Sequence, residues 1–109
     1  MSTTESGAAS PGEPIEVDDL SYDELVRAAK GPVLVDCWAA WCGPCRKTNP
    51  IMRALARDYA ESLTVAKLDT EANRYMGGVL ELTGIPSFIL YLDGQEVDRL
   101  VGGVERERF

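Results

Sequence analysis

The sequence has no histidine. That absence excludes every mechanism built on an imidazole base, the Ser-His and Cys-His nucleophiles among them. No apolar run approaches the ~18 residues a membrane-spanning helix needs. Basic residues are few, eleven against eighteen acidic ones, for a net charge of −7. This excludes sequence-independent binding to nucleic acid or anionic lipid, since both need a basic surface. Only three cysteines occur, Cys37, Cys42 and Cys45. A disulfide-stapled secreted mini-domain carries a larger, even set. The N-terminal stretch "MSTTESGAASPGEP" has no Lys, no Arg and no apolar segment, so it lacks both parts of a secretory signal. Residues 1–13 read as a flexible polar tail and the cytoplasm as the expected location. In that reducing compartment a close cysteine pair is catalytic or metal-binding rather than structural.

What is present fits one soluble globular domain over residues 14–109. The chain has 109 residues, 45% apolar and 27% charged, enough to build a core. Ile15 to Val17 alternates as a short strand. Ser21 and Glu24 have the spacing of a capping box, which predicts a helix from near Tyr22 to Gly31-Pro32. Val33 to Trp38, "VLVDCW", is a nearly continuous run of strand formers, as in a strand buried on both faces; Asp36 interrupts it. Arg46 to Ala60 carries Met52, Leu55, Ala56 and Tyr59 at helical spacing, with Pro50 expected to kink the helix. Leu63 to Asp69 alternates as a strand. Asn73 to Leu82 predicts a helix weakened by Gly77 and Gly78. Ser87 to Leu92 and Glu96 to Val101 predict two strands joined by a tight Asp93-Gly94 turn. The order β-α-β-α-β-α-β-β predicts an α/β fold with parallel crossovers, its sheet made mixed by the closing hairpin.

The chemistry sits in "WCGPC", Trp41 to Cys45. Zinc needs four ligands, and the chain offers one Cys-x-x-Cys, no histidine and one further cysteine in a predicted buried strand. A staple over so short a loop constrains the unfolded chain very little. A redox pair has independent support. The motif falls where a strand hands over to a helix, so Cys42 lies near a helix N-terminus, whose free N–H groups and partial positive charge stabilise a thiolate. Thiolate is the attacking species in disulfide exchange. Cys45 lies one turn in, and Gly43-Pro44 keeps the turn tight, with Pro44 tolerated at a helix start.

The chain resembles the thioredoxin family. The residues that carry the resemblance are "VDCWAAWCGPC", Pro50, "VAKLD", "GIPS", "LDGQEV" and the late "VGG", spread over Ile15 to Gly103. The resemblance implies a thioredoxin fold, a three-layer sandwich of a mixed β-sheet between helices, and a protein-disulfide reductase acting by dithiol–disulfide exchange. It makes Cys42 the nucleophile and Cys45 the resolving thiol. Asp36 becomes a buried carboxylate that moves protons to and from Cys45, and Lys67 the charged neighbour that tunes it. It makes Ile85-Pro86 a cis bond. Trp41, Ile85, Pro86 and Gly102 become a flat apolar surface for a client's backbone. The Gly43-Pro44 dipeptide resembles the reductases of the family rather than its isomerases. No cofactor or metal is implied; electrons would come from NADPH through a thioredoxin reductase. The expected partners are disulfide-containing client proteins, and a monomer is expected.

Four departures from the family pattern stand out. Cys37 replaces a large aromatic and is either core or a third redox thiol. Ser87 replaces a threonine. "RYMGGVLEL" alters one rim, which raises the alternative of a pathway-specific reductase. Only Val104 to Phe109 stand where a final helix is expected, so that helix is read as truncated. A non-catalytic scaffold subunit on the same fold is the remaining alternative.

Overall fold

The computed structural model describes residues 12–102. The expected tail, apart from Gly12 and Glu13, and the expected shortened final helix lie outside the described residues. The elements follow the predicted order: β1 (Ile15–Val17), a π-helical turn (Asp23–Arg27), β2 (Pro32–Trp38), α1 (Gly43–Asp58), β3 (Thr64–Asp69), α2 (Arg74–Val79), β4 (Ser87–Leu92) and β5 (Gln95–Val101). The five strands form one sheet in the order β1-β3-β2-β4-β5.

β1 and β2 run parallel to β3, whereas β4 is antiparallel to β2 and β5 to β4. The sheet therefore becomes mixed at β4, one strand earlier than the closing hairpin alone predicts. β4 starts at the end of the sheet where β2 and β3 finish. Cys37 pairs with Ser87 in that register, and the segment before β4 is delivered to the carboxyl end of β2.

β2 is central and buried along Val33 to Cys37, as its unbroken apolar run requires. Alternate residues serve opposite faces. Val33, Val35 and Cys37 join Tyr22, Val26, Met76 and Leu80 on one side. Leu34 joins Met52, Leu55 and Ala56 of α1 on the other. The sandwich thus has three layers. Cys37 is wholly buried in the first cluster, which assigns it to the core.

Two local readings are corrected. The capping box does not form: the Ser21 hydroxyl accepts from the Asp18 N–H, and the Asp18 carboxylate accepts from the Leu20 and Ser21 N–H groups. A charged oxygen is the stronger acceptor, so the turn is organised from Asp18, and a five-residue π-helical turn replaces the longer helix. Tyr22 is pinned instead by its hydroxyl, 2.8 Å from that of Tyr91. α2 is also shorter than predicted. Its Met76 N–H donates to Asp19 Oδ1, and the Asp19 N–H donates to Asn73 Oδ1, a reciprocal cap from a distant loop.

The Asp93-Gly94 turn takes the predicted conformation, with φ of +50° and +83°. Glycine is required at position 94, where a Cβ would run into the Arg27 carbonyl oxygen.

Candidate functional site

β2 ends at Trp38, and a short loop leads to the start of α1 at Gly43. Cys42 is the N-cap of α1, in extended conformation, with Pro44 in the first turn. The helix starts three residues earlier than its apolar periodicity predicts. Proline presets the helical φ there and lacks only an N–H that would go unpaired anyway, and the Cys45 N–H donates to Cys42 Sγ at 3.1 Å. The helix then runs through Pro50 to Asp58 without a break.

Cys42 and Cys45 are joined as a disulfide, with Cα atoms 5.2 Å apart. Both are buried, in a cluster with Ala39 flanked by Trp38 and Ile85. The approach to the pair is braced by Arg46, whose Nη1 donates to the Ala40 carbonyl at 2.8 Å. A Cβ on Gly43 would meet nothing within 4 Å. Glycine at 43 is thus no steric necessity.

The other predicted residues fall around this centre unevenly. Ile85 contacts the cysteine cluster, and the Ile85–Pro86 bond is cis. Pro86 itself is buried, and its carbonyl accepts from the Gly102 N–H at 2.8 Å. Pro86 ties Gly102 to the site but offers little surface of its own. Trp41 is 66% exposed, with its indole N–H donating to Glu71 Oε2 at 2.9 Å.

Asp36 lies on the α1 side of the sheet by strand alternation, 1% exposed. Neither carboxyl oxygen has a hydrogen-bond partner. Burial raises its pKa to about 6; Lys67 pulls it down and Glu16 pushes it up. Lys67 stands directly opposite Asp36 in the β2–β3 register. Its ammonium donates to Asn49 Oδ1 and lies 4.8 Å from the centroid of the Trp38 ring. Lys67 therefore acts on Asp36 through space, not through contact.

Two residues here escape sequence reasoning. Glu71 gives no local signal, because only the fold brings it to Trp41. Asn49 does give one: a poor helix former inside a helix, directly before proline. Among the described residues no three Cys, His, Asp or Glu side chains converge on a point that could hold a metal ion.

Known proteins match this arrangement. The Thioredoxin family model matches residues 13–109. The chain is 44% identical over 88 residues to a thioredoxin of Mycobacterium bovis, covering 81% of this chain and 76% of that one. It is 43% identical over 101 residues to a bifunctional thioredoxin reductase/thioredoxin of Mycobacterium leprae, covering 93% of this chain but only 22% of that protein. In structure it is similar to a mutant thioredoxin from Halobacterium salinarum, with a TM-score of 0.82 and 33% identity over 94% of this chain and 88% of that one. With a helix-capping cysteine pair set into this mixed sheet, the chain belongs to the thioredoxin family, protein-disulfide oxidoreductases that work by dithiol–disulfide exchange, and Cys42–Cys45 is its redox pair.

Proposed function

We propose that the chain is a general protein-disulfide reductase in which Cys42 attacks and Cys45 resolves. The observation that carries this assignment is the position of Cys42 Sγ at the N-terminus of α1, where it accepts the Cys45 N–H. One donor and the helix dipole both favour the thiolate there. The Cys42 thiolate attacks one sulfur of a client disulfide. The client S–S bond breaks, a Cys42–client bond forms, and the other client sulfur leaves as thiolate. Cys45 then gives its proton to the Asp36 carboxylate and attacks Cys42 Sγ. The mixed disulfide breaks, the Cys42–Cys45 bond forms, and the second client thiolate leaves. Two electrons pass to the client, which takes up two protons. A carboxyl raised to about 6 exchanges protons near neutrality, and Lys67 tunes it.

Gly43 and Pro44 keep the approach open, and Trp41, Ile85 and Gly102 receive the client's extended backbone over Pro86. No cofactor is bound in this scheme. NADPH recharges the pair through a thioredoxin reductase, a reading supported by the name of the M. leprae relative, which couples the two activities. The chain acts as a monomer in the cytoplasm, where thiols are kept reduced.

The test is the reduction potential of Cys42–Cys45 in glutathione buffers, with turnover of two unrelated client disulfides. The reference values are about −270 mV for thioredoxin and about −180 mV for disulfide isomerase. A value near the first with both clients reduced is expected. A value near the second overturns the reductase reading. A normal potential with only one client reduced favours a pathway-specific reductase, the reading suggested by exposed Tyr75 and Val79 on the altered rim.

A further inference from the structure

Lys67 occupies the middle of a row across the sheet. In register it lies between Glu16 on β1 and Asp36 on β2. Directly opposed residues on one face bring their Cβ atoms to about 5 Å, well within reach of a lysine side chain. A buried carboxylate is the strongest available attraction for that ammonium. Even so, both Asp36 oxygens are without a hydrogen-bond partner, and Nζ is held between Asn49 Oδ1 and the Trp38 ring. Asn49 comes from α1, the helix that carries the cysteines. Its amide gains nothing for that helix. Asparagine is a weaker helix former than alanine, and its side chain competes for backbone hydrogen bonds.

We propose that Asn49 is a positioning residue for the proton step: by accepting from Lys67 Nζ over the Trp38 ring, it holds the ammonium off Asp36 and leaves that carboxyl unpaired. A contact ion pair would draw the Asp36 titration down by about 1–3 units, away from the neutral range where a proton is exchanged with Cys45. With the ammonium tethered nearby, its field is felt without a salt bridge forming. The groups that face Asp36 are few. Lys67 comes from β3, and Glu16 from β1 beyond it. The Cys37 thiol adjoins it on β2, and Phe88 of β4 pairs with it and is uncharged. From α1 the neutral Asn49 amide meets Lys67. The inference rests on Asp36 being the proton acceptor for Cys45.

The test is a carboxyl ¹³C NMR titration of Asp36 in the full, oxidised chain over about pH 4 to 9. It compares the native sequence with Asn49→Ala and Asn49→Asp, each also in a Lys67→Met background. Alanine is favoured in a helix, so Asn49→Ala keeps the fold. It is expected to release Lys67 onto Asp36 and lower the midpoint by about 1 unit. Asn49→Asp keeps the acceptor and adds a negative charge, so the midpoint rises. With Lys67→Met, Asn49→Ala moves nothing. An unchanged midpoint in Asn49→Ala, or the same shift without Lys67, overturns the proposal. The pH profile of client reduction separates the two readings. A midpoint that shifts while the profile stays put supports the tether on Lys67 but removes Asp36 from the proton step, and with it overturns the role of Asn49 in that step. A profile that follows the midpoint supports both.

Discussion

The indole N–H of Trp41 donates to Glu71 Oε2 at 2.9 Å, tying the residue before the first redox cysteine to the segment that follows β3. The indole is largely exposed, so this bond orients a surface rather than holding up the fold. Glu71→Ala is expected to raise KM for a protein client about fivefold, the equivalent of ~1 kcal/mol, the net worth of one ordinary hydrogen bond. kcat should stay unchanged, and stability should shift by less than about 0.5 kcal/mol, as for other surface changes. Glu71→Gln keeps an acceptor and should restore most of the loss. Steady-state kinetics on the three proteins decides; an unchanged KM in Glu71→Ala removes Trp41 orientation from client binding.

Asp36 should make the folded state weaker as pH rises. Its carboxyl goes from 3.8 to about 6, with burial as the main cause. Below the unfolded value both states are protonated and nothing is lost. Between the two values the folded state binds more protons than the unfolded state, so stability falls with increasing pH. Above the folded value the loss is complete, about 3 kcal/mol for roughly two units. The stability difference between native protein and Asp36→Asn, followed by urea unfolding of the oxidised forms, should therefore move by about that amount in favour of the variant between pH ~4 and ~8. A difference that is flat with pH would show that Asp36 titrates normally. The same variant should slow resolution of the mixed disulfide at least ~10²-fold, the usual scale of a lost proton acceptor.

Two glycines should respond in opposite ways to alanine. At Gly94 the positive φ and the close approach of a Cβ to the Arg27 carbonyl combine strain with a backbone clash, so Gly94→Ala should destabilise by about 2–3 kcal/mol. At Gly43 a Cβ meets open space, and alanine is the better helix former by up to about 1 kcal/mol. Gly43→Ala should be at least as stable as the native chain but slower toward protein clients, because its methyl projects into the open space at the residue between the two redox cysteines. Urea midpoints and client turnover of both variants check this; a destabilised Gly43→Ala would mean the turn needs glycine after all.

Cys37 should be inert. It is wholly buried, and burial with the neighbouring Asp36 charge pushes its thiol up to about 12. Iodoacetamide on the reduced native protein near pH ~8 should label Cys42 and leave Cys37 unmodified, since only thiolate reacts. In denaturant all three cysteines should be labelled. A Cys37 adduct on the folded protein, located by peptide mass spectrometry, would return it to the redox chemistry.

The features legible in the sequence are those decided over a few neighbouring residues. A run of strand formers predicted β2 as the buried centre, Asp93-Gly94 predicted its own positive-φ turn, and Cys-x-x-Cys with proline marked a strand-to-helix junction. Each depends on backbone preferences and on side-chain spacing within one element, which a linear reading contains. The capping box at Ser21 failed because Asp18, close by, offered a better acceptor. The direction of β4 was missed because strand pairing is settled between elements, not within the segment that precedes β4.

The partners that the polar side chains take are set by the assembled fold. Trp41 reaches Glu71, Lys67 turns to Asn49 rather than to the opposite Asp36, and the cap of α2 comes from Asp19. These choices lie between residues distant in the chain, where several groups compete for one donor. Such competition is settled by three-dimensional proximity and burial, neither of which is a property of any short segment. Local spacing and backbone preference are enough to place the strand–helix junction that carries the redox pair. The fold determined the field and the surface around that pair, because both are sums over elements that meet only once the sheet has assembled.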